Sequence, residues 1–110
     1  MRKETGLAEA AELFKVLGNE SRLWLLRLLD EVPMNVGALE EATGMSQPLI
    51  SQHLRTLRQA GLVTATRKGR EVTYRVTDLH VTHVIADALA HVLEPPADMT
   101  DAKPPRKETA

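Results

Sequence analysis

A chain of 110 residues supports one hydrophobic core and is too short for two. With 43% hydrophobic residues, 3% aromatics and no cysteine, that core must be aliphatic; disulfides, thiolate metal sites and thiol redox sensing are excluded. The net charge of −1 hides a division: Ser46 to Arg75 holds Arg55, Arg58, Arg67, Lys68, Arg70 and Arg75 against Glu71 alone, so this stretch is +5 and the remainder −6.

In chain order, residues 1–6 read as an N-terminal arm. Leu7 to Leu17 places Leu7, Ala10, Ala11, Phe14 and Leu17 at helical spacing and stops at Gly18. Asn19 is suited to cap a second helix, Ser21 to Asp30, with Leu23, Trp24, Leu26, Leu28 and Leu29 as its apolar set and Pro33 beyond its end. A short third helix, Val36 to Ala42, ends at Gly44. Ser46 caps a fourth, in which Pro48 sits harmlessly in the first turn. Leu49, Ile50, Leu54 and Leu57 form its buried side, and Gly61 stops it. The period then changes from 3.6 to 2: Val63, Ala65 and Arg67 alternate on one run, Val72, Tyr74 and Val76 on the next. Lys68-Gly69-Arg70 forms the tip between them. Thr77 or Asp78 opens a last long helix, with Val81, Ile85, Ala88, Leu89 and Val92 for dimer and core packing, and Pro95-Pro96 closes it. The tail to Ala110 is rich in Pro, Lys, Asp and Thr and is expected to be disordered, which makes residues 7–94 the folded unit. No run approaches the ~18 apolar residues of a membrane helix, and the N-terminus lacks the shape of a signal peptide, so a soluble cytoplasmic protein is expected.

Four residues of the last helix stand out: Asp78, His80, His91 and Glu94, written D-x-H, ten residues, H-x-x-E. A step of 11 returns His91 to within about 20° of His80 on the helix surface, and a further step of 3 keeps that face. A rise of ~1.5 Å per residue nevertheless puts the two histidines roughly 16 Å apart. Imidazole binds zinc at ~2.0–2.1 Å, so one helix cannot close such a site. Two helices packed antiparallel can, because the Asp78/His80 end of one meets the His91/Glu94 end of the other. The spacing thus implies a homodimer together with a metal. A polar stripe facing water would show the same residues, and His83 and Asp87 lie on it too, about −60° and −20° from His80.

The order helix, helix, short helix, turn, helix, two-stranded hairpin is a winged helix-turn-helix, mainly α with a small β-hairpin. Within it the run Gly44-Met45-Ser46-Gln47-Pro48-Leu49-Ile50-Ser51-Gln52-His53-Leu54-Arg55-Thr56-Leu57-Arg58-Gln59-Ala60-Gly61-Leu62-Val63 closely resembles the ArsR/SmtB family of bacterial metal-responsive repressors, a resemblance reaching from about Leu7 to Glu94. On the residues alone, Ser46, Gln47, Ser51 and Gln52 near the start of the fourth helix suit hydrogen bonds to base edges of double-stranded operator DNA. Arg55 and Arg58 suit phosphates, and Arg67, Lys68 and Arg70 on the wing suit the adjacent backbone or minor groove. His53 falls on the packed side, where a structural hydrogen bond is weighed above DNA contact.

The family holds metals in two main positions. Its thiolate site on the third helix needs C-x-C, and here Asn35 and Gly37 stand there instead. Its zinc-sensing pattern on the last helix matches Asp78, His80, His91 and Glu94 residue for residue. The resemblance therefore implies dimerisation through the terminal helices and Zn(II) as effector of a repressor released from its operator. Co(II) suits the same ligands, and Ni(II) sensing or no metal effector at all stays open. His83, Asp87 and Gly61 are candidates for support around the ligands, with the His91 ring expected to donate to a carbonyl near Gly61. His83 and Asp87 are otherwise bystanders on the polar stripe, and as ligands they would shift selectivity toward a higher-coordination ion such as Ni(II). Four protein ligands close a metal to substrate, and no nucleophile or small-molecule pocket is evident, so no enzyme activity is expected.

Overall fold

The computed structural model describes residues 4–96; the first three residues and the tail from Ala97, for which disorder is expected, lie outside the described residues. The elements are α1 (Leu7–Leu17), α2 (Glu20–Glu31), α3 (Val36–Thr43), α4 (Gln47–Gln59), β1 (Val63–Lys68), β2 (Glu71–Val76) and α5 (Leu79–Leu93), a winged helix-turn-helix. Capping chemistry sets where the middle helices start. Asn19 Oδ1 accepts the Arg22 N–H at 3.0 Å, Asn35 Oδ1 the Ala38 N–H at 2.7 Å, and Ser46 Oγ the Leu49 N–H at 3.4 Å. Each satisfies a donor that a first helical turn leaves unpaired. Because Asn19 is the cap, α2 begins at Glu20 rather than Ser21 and runs one residue past Asp30.

The end of α4 is set by Gly61 at φ +76°, with the Leu62 N–H reaching the Leu57 carbonyl and the Gly61 N–H reaching the Arg58 carbonyl, both at 2.9 Å. This closing pair needs a left-handed residue between α4 and the strand, and glycine adopts it without Cβ strain. β1 and β2 then pair antiparallel from Val63↔Val76 to Lys68↔Glu71. Lys68 is therefore the last paired residue of β1, and the tip shrinks to Gly69-Arg70, with Gly69 at φ +64°. Met34 extends the sheet on the far edge of β2, exchanging backbone hydrogen bonds of 3.0 and 2.8 Å with Tyr74.

α2 lies at the centre, packed on α1, α4, α5 and β2. The core joins Leu17, Leu25, Leu26 and Leu29 to Leu39, Ile50, Leu54, Leu57, Leu62, Val63, Val81 and Ile85. Several residues assigned to apolar faces depart from this core, Leu7 and Val92 among them. Phe14 and Trp24 remain 57% and 45% exposed, and Leu49 lies about 90° round α4 from the buried stripe of Ile50, His53, Leu54 and Leu57. Helical periodicity marks a face that needs cover without saying which chain supplies it; the aromatic pair faces a cleft that this chain leaves open. Leu57 has no such ambiguity, being fully buried where α4 meets the core. Leu57→Ala should cost about 2–5 kcal/mol of a total near 5–15, read as a lower urea midpoint with an unchanged slope. A midpoint within error of the parent would contradict this packing.

Candidate nucleic-acid interface and metal-ligand helix

On α4 the buried stripe points one way and Ser51, Gln52 and Arg55 point the other, all exposed. Ser46, Gln47 and Arg58 flank them, exposed as well. Two of these side chains already have intramolecular duties. Ser46 Oγ serves as the helix cap, leaving its hydroxyl hydrogen free to donate, and Gln47 Nε2 donates to Glu40 Oε1 on α3 at 3.1 Å. Glu71, the one acid of the basic stretch, is engaged by Asn35 Nδ2 at 2.6 Å.

The wing divides its bases by the two-residue period of a strand. Arg67 pairs with Val72 on the face that also holds Ala65 and Tyr74, whereas Lys68 shares the opposite face with Thr64, Thr66, Thr73 and Arg75. Lys68, Thr66, Thr73, Arg75 and Pro33 line a shallow cleft of about 240 Å³. Arg75 lies outside the set expected to contact DNA, yet the strand alternation that groups Val72, Tyr74 and Val76 puts it on the face of Lys68.

His53 is buried beneath α4. Its burial first, and the Arg22 guanidinium second, hold its imidazole below the ordinary range. It accordingly packs as a neutral ring turned away from solvent, and among the described residues it makes no hydrogen bond, which corrects the expected hydrogen-bonding role. The sign for stability follows from linkage. The unfolded chain takes up a proton near pH 6.5 that the folded chain resists, so this contribution shrinks as pH falls below about 6.5. Chemical denaturation between pH 7.5 and 5 should show wild type losing stability faster than His53→Gln; parallel curves would assign the acid loss to other groups.

On α5, Val81, Thr82 and Ile85 are buried while His80, His83, Asp87, His91 and Glu94 are exposed on the other side. Both carboxylates of the four-residue pattern sit at the ends of the helix rather than inside it. Asp78 is the N-cap, its Oδ1 accepting the His80 and Val81 N–H groups at 2.9 and 3.4 Å, and Glu94 is the C-cap. The Asp78 Oδ1 also lies 3.4 Å from His80 Nδ1, and the His80 side chain is 99% exposed. Among the described residues no three His, Asp or Glu side chains of the single chain converge as a metal cage.

Within the chain the Gly61 carbonyl already has one donor. Thr77 Oγ1 donates to it at 3.4 Å, and the Thr77 N–H donates to the Leu62 carbonyl at 3.1 Å. His91 of the same chain lies roughly 20 Å along α5 from Asp78 and is out of reach. Beside this helix, Val84, Ala88 and Val92 join Phe14, Leu23 and Trp24 around an apolar cleft of about 490 Å³.

The family model for bacterial regulatory proteins of the arsR family matches residues 19–65, from the cap of α2 into β1. The HTH-type transcriptional regulator NmtR of Mycobacterium tuberculosis is 39% identical over 84 residues, which cover 76% of this chain and 70% of that protein. The chain belongs to the ArsR family. A second relative, the HTH-type transcriptional repressor SmtB of the same organism, is 43% identical over 88 residues, 80% of this ArsR-family chain and 65% of the SmtB sequence, so the match spans just under two thirds of that repressor. Among solved structures, the homodimeric winged helix-turn-helix DNA-binding domain of a possible ArsR-family regulator from Mycobacterium bovis superposes with a TM-score of 0.73 at 31% identity, covering 86% of this chain and 90% of that one. Its shared fold puts α4 of this ArsR-family protein in the position of a recognition helix and the β1–β2 hairpin in that of a wing. Among the described residues no helix is long and apolar enough to cross a membrane.

Proposed function

We propose that this ArsR-family chain is a homodimeric transcriptional repressor that binds operator DNA through α4 and the wing, and that zinc bound between the two α5 helices releases it. The observation that carries the reading is the placement of Asp78 with His80 at one end of an exposed helix face and His91 with Glu94 at the other. The donor set suits the ion: two imidazoles and two carboxylates per site favour tetrahedral Zn(II), and Co(II) shares that preference. Asp78 can serve as cap and ligand together. Its Oδ1 takes the helix N–H groups, and among the described residues its Oδ2 accepts no hydrogen bond. The uncovered cleft beside Phe14, Trp24, Val84 and Val92 supplies apolar area for the second chain to cover.

Dimer geometry connects the ends of α5 to DNA. Two recognition helices must reach successive major grooves ~34–36 Å apart, so the angle between the two α5 helices sets whether both fit. Ligands drawn from both chains fix that angle. Thr77 carries it onward, because its two bonds to Gly61 and Leu62 tie the residue before Asp78 to the end of α4. If the metal-bound angle suits DNA poorly, each ligand weakens the other by one factor.

The test is a Co(II) optical titration of the dimer with Zn(II) competition, beside operator binding followed by anisotropy. Intense tetrahedral bands abolished by Zn(II), with DNA release, support the reading. Weak octahedral bands with tighter Ni(II) binding move it to a nickel or cobalt sensor. Operator binding with no metal uptake leaves a repressor without a metal effector.

A further inference from the structure

His83 and Asp87 stand one helical turn apart on the same exposed stripe of α5, between the two ends of the four-residue pattern. Residues at i and i+4 present their side chains side by side, the spacing by which a helix offers two ligands to one ion. Neither side chain forms an ion pair or a hydrogen bond among the described residues. Their chemistry is that of the outer pattern, one imidazole and one carboxylate.

The position along the helix decides what they meet, given the antiparallel dimer proposed above, on which this inference rests. Pairing Asp78 with the partner's Glu94, and His80 with the partner's His91, puts the centre of symmetry between Ile85 and Ala86 or close to Ala86. Asp87 then lies roughly 2 Å from that centre along the axis and His83 roughly 4 Å on the other side. The partner's Asp87 comes within about 2 Å of the level of His83. The two Asp87 carboxylates are themselves offset by only about 4 Å along the axis, between helices packed ~8–10 Å apart. Two like charges at that spacing favour a cation between them, and two imidazoles flank it.

We propose that His83 and Asp87 from both chains form a third divalent-cation site on the two-fold axis of the dimer, between the two outer sites. Its ligand set of two nitrogens and two oxygens suits Zn(II) or Co(II). Being shared symmetrically, it binds one ion per dimer and couples the outer sites through the helix pair rather than through either DNA-binding head.

Equilibrium dialysis with Zn(II) alone, and with Co(II) alone, followed by metal analysis of the dimer, separates the possibilities. Wild type should hold three ions per dimer, the double variant His83→Gln/Asp87→Asn two, and His80→Ala/His91→Ala one, with sedimentation confirming that each remains dimeric. Two ions in wild type and two in the His83/Asp87 variant would overturn the central site while leaving the outer sites standing. Two ions in wild type, with octahedral Co(II) bands turning tetrahedral in that variant, would overturn it in favour of six-coordinate outer sites. No ion in any of the three proteins would overturn the metal reading as a whole and the central site with it.

Discussion

Replacing His91 with alanine should give a dimer that binds operator DNA as the parent does but no longer releases it when Zn(II) is added. The side chain is exposed near the end of α5, away from the core built on Val81 and Ile85, so folding and the DNA-binding head should be unaffected. What is lost is one of the four proposed zinc ligands, a Zn–N bond. Substituting groups that merely support a ligand weakens metal binding by 10–100-fold, so removing a ligand should weaken it by at least about 100-fold. The coupling between metal and DNA in such a two-state system is ordinarily about 5–150-fold in affinity, and here it should collapse to about one. Anisotropy titrations of a labelled operator with and without Zn(II), for both proteins, measure this directly. Release of DNA by the His91→Ala dimer at the wild-type Zn(II) concentration would sink the inter-subunit site.

Local signals in this chain were legible because they are chemical. Asn19 and Ser46 cap helices where a short polar side chain precedes an apolar period, Gly61 marks the one left-handed position closing α4, and Gly69 marks the turn of the wing. Ile50, Leu54 and Leu57 are buried as their spacing requires. What sequence could not supply were distances between elements. Nothing local says that Gln47 will meet Glu40, that Asn35 will meet Glu71, or that Thr77 will donate to Gly61. Phe14 and Trp24 show a second limit, since apolar spacing is the same whether the cover comes from this chain or another. The proposed site on α5 is legible as a pattern, yet its closure would depend on a partner helix.

Neutralising Arg55, Arg58, Lys68 and Arg70 together should nearly abolish operator binding at physiological salt, and the form of the loss is as informative as its size. Counterion release makes log K fall with log salt by about 0.9 for each phosphate neutralised. Four bases on each of two protomers make eight charges, so the slope should become shallower by about 7 if all meet phosphate, with affinity down by several powers of ten. Arg67 serves as the internal comparison. It shares a wing face with Ala65 and Tyr74 rather than with Lys68 and Arg75, and Arg67→Ala should change the slope less than Lys68→Ala. Gln52→Ala tests the other half of recognition. Gln52 is exposed opposite the buried stripe of α4, where an amide can pair with a base edge at a cost on loss of about 1–3 kcal/mol per contact. That variant should lower affinity for the operator, leave non-specific binding alone and keep the parent salt slope. A four-base variant with an unchanged slope would mean that the positive stretch from Ser46 to Arg75 faces something other than the phosphate backbone. A Gln52→Ala variant with a shallower slope would mean that α4 is not presenting this face to bases. Opposite outcomes from the two variants, slope without specificity and specificity without slope, are what a recognition helix flanked by a basic wing requires.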